Sequence, residues 1–230
     1  LGVPFTDPIA DGPTIQKGVE RALKKNVSLS DVLKVVEAFR ESNQKTPLVL
    51  MGYMNPIECM GFNKFSIQAK SKGVDGVLLV DSPPEESEEI NSALIKNNLC
   101  QIFLASPTTE DKRLKKIIKY STGYLYYVSI KGITGSSIID FKPIKKSVDH
   151  IRKLSKGSIP VTVGFGIKNG ITATALLKNT DCSSRKSLKY SASLISSPII
   201  FSISFWVNLM LELLSLDAPP PLPFDSAPKT

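Results

Sequence analysis

The feature that most constrains this chain is an alternation of two element types. Short, continuously apolar runs recur along it: "TPLVLMGYM", "VDGVLLVD", "CQIFLAS", "GYLYYVSI" and "IPVTVGFGI". Longer stretches with apolar residues at helical spacing lie between them: "TIQKGVERALKKN", "LSDVLKVVEAFRESN", "NPIECMGFNKFSIQAKSKG", "PPEESEEINSALIKNN", "TTEDKRLKKIIKYS", "FKPIKKSVDHIRKLSK" and, more weakly, "NGITATALLKN". Strands that are apolar throughout, rather than at every second residue, belong to parallel sheets covered on both faces. The opening "LGVP" adds a sixth strand to the expected set. In the second helix Val32, Leu33, Val35, Val36 and Phe39 form one stripe, with Ser30 or Asp31 as the expected cap. In the fourth, Pro and Glu at the start suit the helix dipole.

Doubly wound sheets and (β/α)₈ barrels both follow from repeated β-α units. The loops decide for a barrel. Polar and Gly-rich signals follow the strands, in DPIADG, GYMN, DSPP, SPTT, KGITGSS and GFG. A ring of functional loops at the C-terminal strand ends is what a barrel offers. No G-x-G-x-x-G opens a helix, which counts against a dinucleotide fold.

After about Asp181 the alternation stops. Residues 1–181 are expected to form an incomplete barrel, and residues 182–230 a divergent tail that is Ser-rich, then apolar, then Pro-rich. Within the tail, residues 194–216 hold 15 apolar side chains in 23. That is nearly a membrane span in length. Ser204, Asn208, Glu212 and Ser215 draw a polar line along it, so an amphipathic helix is expected and a membrane partner is not.

Cys59, Cys100 and Cys182 are odd in number and widely spaced, so no disulfide framework follows. A reducing compartment is expected: the cytoplasm, or a plastid in a eukaryote. His150 is the only histidine, which excludes multi-histidine metal sites. It lies in a Lys-rich helix and is given no role. The net charge of +8 lies wholly within residues 1–180, much of it in helical stretches. A solvated outer face explains it best, followed by attraction of a small anionic substrate. No motif points to nucleic acid.

Several loop residues admit two explanations. Asp7 and Asp11 stand in Asp-Pro and Asp-Gly steps, which form turns. At a barrel mouth the same carboxylates can bind a donor or act as acid or base. "KGITGSS" and "GFG" are either tight β-α turns or phosphate cradles. Tyr53 and Tyr126 are either core packing or the lining of an aromatic pocket.

Taken in order, "LGVPFTDPIADGPTIQ", "PLVLMGYMNPI", "GVDGVLLVDSPPEES", "SIKGITGS" and "VGFGI" resemble the tryptophan synthase alpha chain family over residues 1 to about 181. The resemblance implies a (β/α)₈ barrel and a lyase of tryptophan biosynthesis. Such a lyase splits indole-3-glycerol phosphate, by a retro-aldol reaction, into indole and glyceraldehyde 3-phosphate. It implies no cofactor in this chain. Pyridoxal phosphate is expected only in a beta-chain partner, within an alpha2beta2 complex that passes indole through a tunnel.

Residue by residue, the resemblance implies a catalytic carboxylate at Asp11, which holds the indole N–H. Tyr126, Tyr53 and Thr134 would line the pocket, with Thr134 in a lid loop that meets Asp11. Gly135, Phe165 and Gly166 would offer backbone N–H groups to the phosphate. Pro4 and Asp7 would touch the beta chain. The family's principal catalytic glutamate and its first strand are expected immediately before Leu1. An eighth strand with a Gly-Ser-Ala phosphate turn is expected past Asp181, where this sequence reads differently. The competing expectation is therefore a catalytically inactive fragment of marginal stability, or a module that only binds the beta chain.

Overall fold

The fold is that of a computed structural model, which describes residues 1–128 and 141–164. Five strands form one sheet in strictly sequential order: β1 (Val49–Gly52), β2 (Gly76–Leu79), β3 (Cys100–Ala105), β4 (Leu125–Val128) and β5 (Val161–Gly164). Every pairing is parallel. The opening residues join the same ladder. Met51 N–H donates to Leu1 O and Val3 N–H to Met51 O, each at 2.8 Å, and Gly2 bridges to Met51. Five of the expected strands are therefore present, and the opening residues pair with β1 at the place of the sixth.

Sequential order is the mark of a barrel wall, because a doubly wound sheet reverses its order at a switch point. Helices line one face. These are α1 (Pro13–Lys24), α2 (Leu29–Ser42), α3 (Met54–Met60), α4 (Phe62–Ser71), α5 (Glu88–Lys96), α6 (Asp111–Tyr120) and α7 (Phe141–Ser155). Strand side chains alternate in direction. Leu50, Val77 and Leu79 pack outward with Val36, Phe65, Ile90 and Leu94 from the helices. Phe103, Leu125, Tyr127, Val161 and Val163 do the same with Leu114, Ile117, Val148 and Ile151. In the opposite register, which forms the inner wall, Val49, Met51, Leu104, Tyr126 and Thr162 are half-buried while Leu78 and Ile102 are fully buried.

Three local expectations are corrected. The cap of α2 is Ser28, not Ser30 or Asp31. Its hydroxyl accepts the Asp31 N–H at 3.3 Å, while the Asp31 carboxylate accepts the Ser28 N–H at 3.0 Å. That reciprocal pair is a capping box, two to three residues earlier than the apolar stripe suggested. Hydrogen bonds from Ser28 and then Lys34 hold the Asp31 carboxyl down at about 2. The stretch 54–71 is two helices, because Gly61 takes φ +87° between them, a conformation costly for other residues. Pro83 and Pro84 precede α5 rather than open it, and Glu88 and Glu89 occupy its first turn.

His150 lies on the surface, and its Nε2 is 2.7 Å from Asp111 Oδ1, tying α7 to α6. No helix among the described residues is long and apolar enough to cross a membrane. The expected helix "NGITATALLKN", Cys182 and the tail with its 194–216 stretch lie outside the described residues.

Candidate active site

The loop between the opening strand and α1 runs across the mouth at the C-terminal end of β1. Its own backbone closes it: Ile9 N–H donates to Asp7 O at 2.9 Å and Asp11 N–H to Pro8 O at 3.0 Å. Gln16 of α1 reaches back and donates to Asp11 O at 3.0 Å. Gly12 then caps α1 and Pro13 opens it, so Asp11 is held one residue before a helix N-terminus.

The turn explanation requires the Asp11 carboxylate to accept a loop amide. It does not. The loop is closed by backbone carbonyls, and Asp11 Oδ2 instead accepts the Tyr53 hydroxyl at 3.3 Å, from 42 positions away. Tyr53 continues the inner-facing register of Val49 and Met51 past the end of β1, and is buried. Its hydroxyl also accepts the Ala10 N–H at 3.0 Å, and its ring packs on Phe5 with centroids 5.2 Å apart.

Half-burial pushes the Asp11 carboxyl above its ordinary value, and the Tyr53 hydrogen bond only partly offsets this. Burial likewise raises the Tyr53 hydroxyl, and the neighbouring carboxylates add to the shift, so it stays a protonated donor. A carboxylate raised by desolvation and bound by one long hydrogen bond has unused accepting capacity. It can take an N–H from a ligand.

Tyr126 lies on β4 between Leu104 of β3 and Thr162 of β5, on the same inner face. Burial raises its hydroxyl as well. It makes no hydrogen bond to Asp11 or Tyr53. It stands three strands along the wall from them, about 14 Å at ordinary strand spacing. A Cβ placed on Gly164 would overlap the Tyr126 hydroxyl, so the end of β5 is built around that ring.

Asp7 is exposed and its carboxylate accepts the Thr6 hydroxyl at 2.5 Å, whereas Pro4 is buried. Between them and Asp11 stands Ile9, 89% exposed, a large apolar side chain at the loop tip that sequence reasoning did not single out. Asp81 was also missed. Its Oδ1 accepts the Met54 N–H at 2.8 Å beside Tyr53. The signal was legible, since "DSPP" follows a strand at the mouth end. Thr134, Gly135, Phe165 and Gly166 lie outside the described residues. An open cleft of about 460 Å³ between α4 and α5 contains none of the site residues.

A family model described as "Tryptophan synthase alpha chain" matches residues 1–183. The chain belongs to the tryptophan synthase alpha chain family. The chain of that name from Nitrosospira multiformis is 52% identical over 181 residues, covering 79% of this chain and 64% of the relative. That from Hydrogenovibrio crunogenus is also 52% identical over 181 residues.

Among solved structures, tryptophan synthase subunit alpha from Legionella pneumophila superposes with a TM-score of 0.72 at 40% identity, over 79% of this chain and 66% of that one. A structure of the tryptophan synthase a2b2 complex from Pyrococcus furiosus gives 0.71 at 38% identity, over 78% and 71%. The chain thus spans just under two thirds of the Nitrosospira relative and of the Legionella structure. These similarities confirm the α/β barrel class that the strand order indicated.

Proposed function

We propose that this protein acts in tryptophan biosynthesis as the alpha-type lyase, cleaving indole-3-glycerol phosphate to indole and glyceraldehyde 3-phosphate. The observation that carries the proposal is the Asp11–Tyr53 pair: a half-buried, partly satisfied carboxylate at the mouth of a barrel of this family. Asp11 accepts the indole N–H and stabilises the positive charge that develops on the ring as its carbon takes a proton from the principal catalytic glutamate, which the family resemblance expects ahead of Leu1. An acceptor preorganised for developing charge is the commonest large contribution to catalysis. Tyr53 and Tyr126 bound the aromatic end of the pocket on the inner wall. The family resemblance assigns Thr134 to the pocket and Gly135, Phe165 and Gly166 to phosphate binding.

No cofactor of its own enters this chemistry. The exposed tip of the mouth loop, with Asp7 and Ile9 at its surface, is the contact for a beta chain that carries pyridoxal phosphate. Pro4 supports that tip from beneath. The family match favours this reading over an inactive module.

The test is indole release from indole-3-glycerol phosphate, with added beta chain, by the chain extended to include the expected glutamate, beside the same chain carrying Asp11→Asn. Turnover should fall roughly 10²–10³-fold in the variant, the cost typical of losing one such electrostatic contact. Melting behaviour should be retained. Near-equal turnover, or a folded wild type that releases no indole, overturns the proposal.

A further inference from the structure

Tyr53 occupies the N-cap position of α3, with extended backbone at φ −111° and ψ 159°, yet its side chain makes no capping bond. That position ordinarily holds Ser, Thr, Asp or Asn, whose oxygen accepts a first-turn N–H. A tyrosine cannot do this while its ring runs to Ala10 and Asp11. The acceptor comes instead from the neighbouring loop. Val80 N–H donates to Gly52 O at 3.0 Å, the last ladder bond between β1 and β2. The next residue, Asp81, places Oδ1 2.8 Å from the Met54 N–H, 27 positions away. A carboxylate there also meets the positive end of the helix.

We propose that Asp81 is a positioning residue for the Asp11–Tyr53 pair: it caps α3 in place of Tyr53 and pins the Tyr53–Met54 peptide, so the ring is free to face Asp11. Its kinetic consequence rests on the lyase reading above; its structural consequence does not. The division of labour is specific. Tyr53 gives up the cap to hold Asp11, and Asp81 supplies the cap without touching substrate.

The experiment compares Asp81→Asn, Asp81→Ala, Tyr53→Phe and Asp81→Ala/Tyr53→Phe. Asp81 is exposed, so these changes at position 81 leave the core intact. The Asn amide oxygen still accepts the Met54 N–H, so Asp81→Asn should stay within about threefold of wild-type kcat, whereas Asp81→Ala should lose roughly tenfold, the scale of one charge-assisted hydrogen bond. The double variant should be no slower than Tyr53→Phe alone, because both changes remove the same contact. A readout independent of turnover is the carbon-13 titration of the Asp11 carboxyl. Loss of the Tyr53 hydrogen bond moves it upward. Tyr53→Phe and Asp81→Ala should both show that rise, and Asp81→Asn, which loses the charge but keeps the bond, should not. Equal behaviour of Asn and Ala, or additive losses in the double variant, overturns the proposal. A wild type that releases no indole counts against the lyase reading, and the titration alone then decides this one.

Discussion

The two ends of the barrel wall are built on opposite terms. At the N-terminal strand ends, Arg40 of α2 donates to Gly73 O at 2.8 Å, Asn43 O at 3.0 Å, Thr46 O at 2.6 Å and the Asp75 carboxylate at 2.7 Å. Asp75 in turn accepts the Leu48 N–H at 2.8 Å. Gly73 is at φ +93°, and a Cβ there would come within 2.7 Å of the Arg40 side chain. Every guanidinium nitrogen of Arg40 has an acceptor here. At the mouth, Asp11 keeps a single 3.3 Å bond and a carboxyl raised by burial, and Ile9 stands in solvent. The closed end is satisfied for stability. The open end leaves accepting capacity and apolar surface unspent, as the proposed lyase site and partner contact would require.

The comparison breaks most visibly if Arg40 is removed. Arg40→Ala strands three carbonyls and a carboxylate. Asp75 is 39% exposed, which moderates the loss, so about 2–3 kcal/mol is expected. Melting should drop by roughly 5–10 °C for a domain of this size, with turnover of the folded fraction unchanged. A large kinetic effect would deny the division between the two ends. Gly164→Ala tests the mouth by crowding. The Tyr126 ring must shift, at about 1–2 kcal/mol of overpacking, and here turnover should suffer more than melting.

The smallest effect is one of pH on stability. The folded-state value of Asp11 is raised, so between the ordinary value of 3.8 and the raised value the native state binds the extra proton. Stability then falls as pH rises through that window. Asp11→Asn cannot pay this cost. Its melting temperature should match wild type below about pH 3.8 and sit slightly above it once Asp11 ionises. A wild type that gains on the variant with rising pH would show Asp11 to be a structural carboxylate.

Much of this was legible beforehand where the physics is local. A strand buried on both faces must be apolar throughout, and a helix on a sheet must carry a stripe. The order of elements and the five strands could therefore be read from period alone. Local pattern failed where two local signals competed. Ser28 won the α2 cap over Ser30 because only its reciprocal bond with Asp31 satisfies two N–H groups. Gly61 split a stretch whose apolar spacing ran through it. At the site, residue types marked Asp11 and Tyr53 as candidates, but nothing in their spacing joins them.

The sequence by itself determined the class of fold, the family and the loops that face the mouth, because each depends on patterns within a few tens of residues. Only the tertiary structure decided which partners meet: Tyr53 with Asp11 across 42 positions, Asp81 with the Met54 N–H across 27, and Arg40 with Asp75 across 35. The reason is geometric. Parallel pairing sets β1 beside the opening strand and β2 beside β1, so residues just past each strand's end converge at the mouth and residues just before each strand, such as Asp75, converge at the closed end, however far apart they lie in the chain.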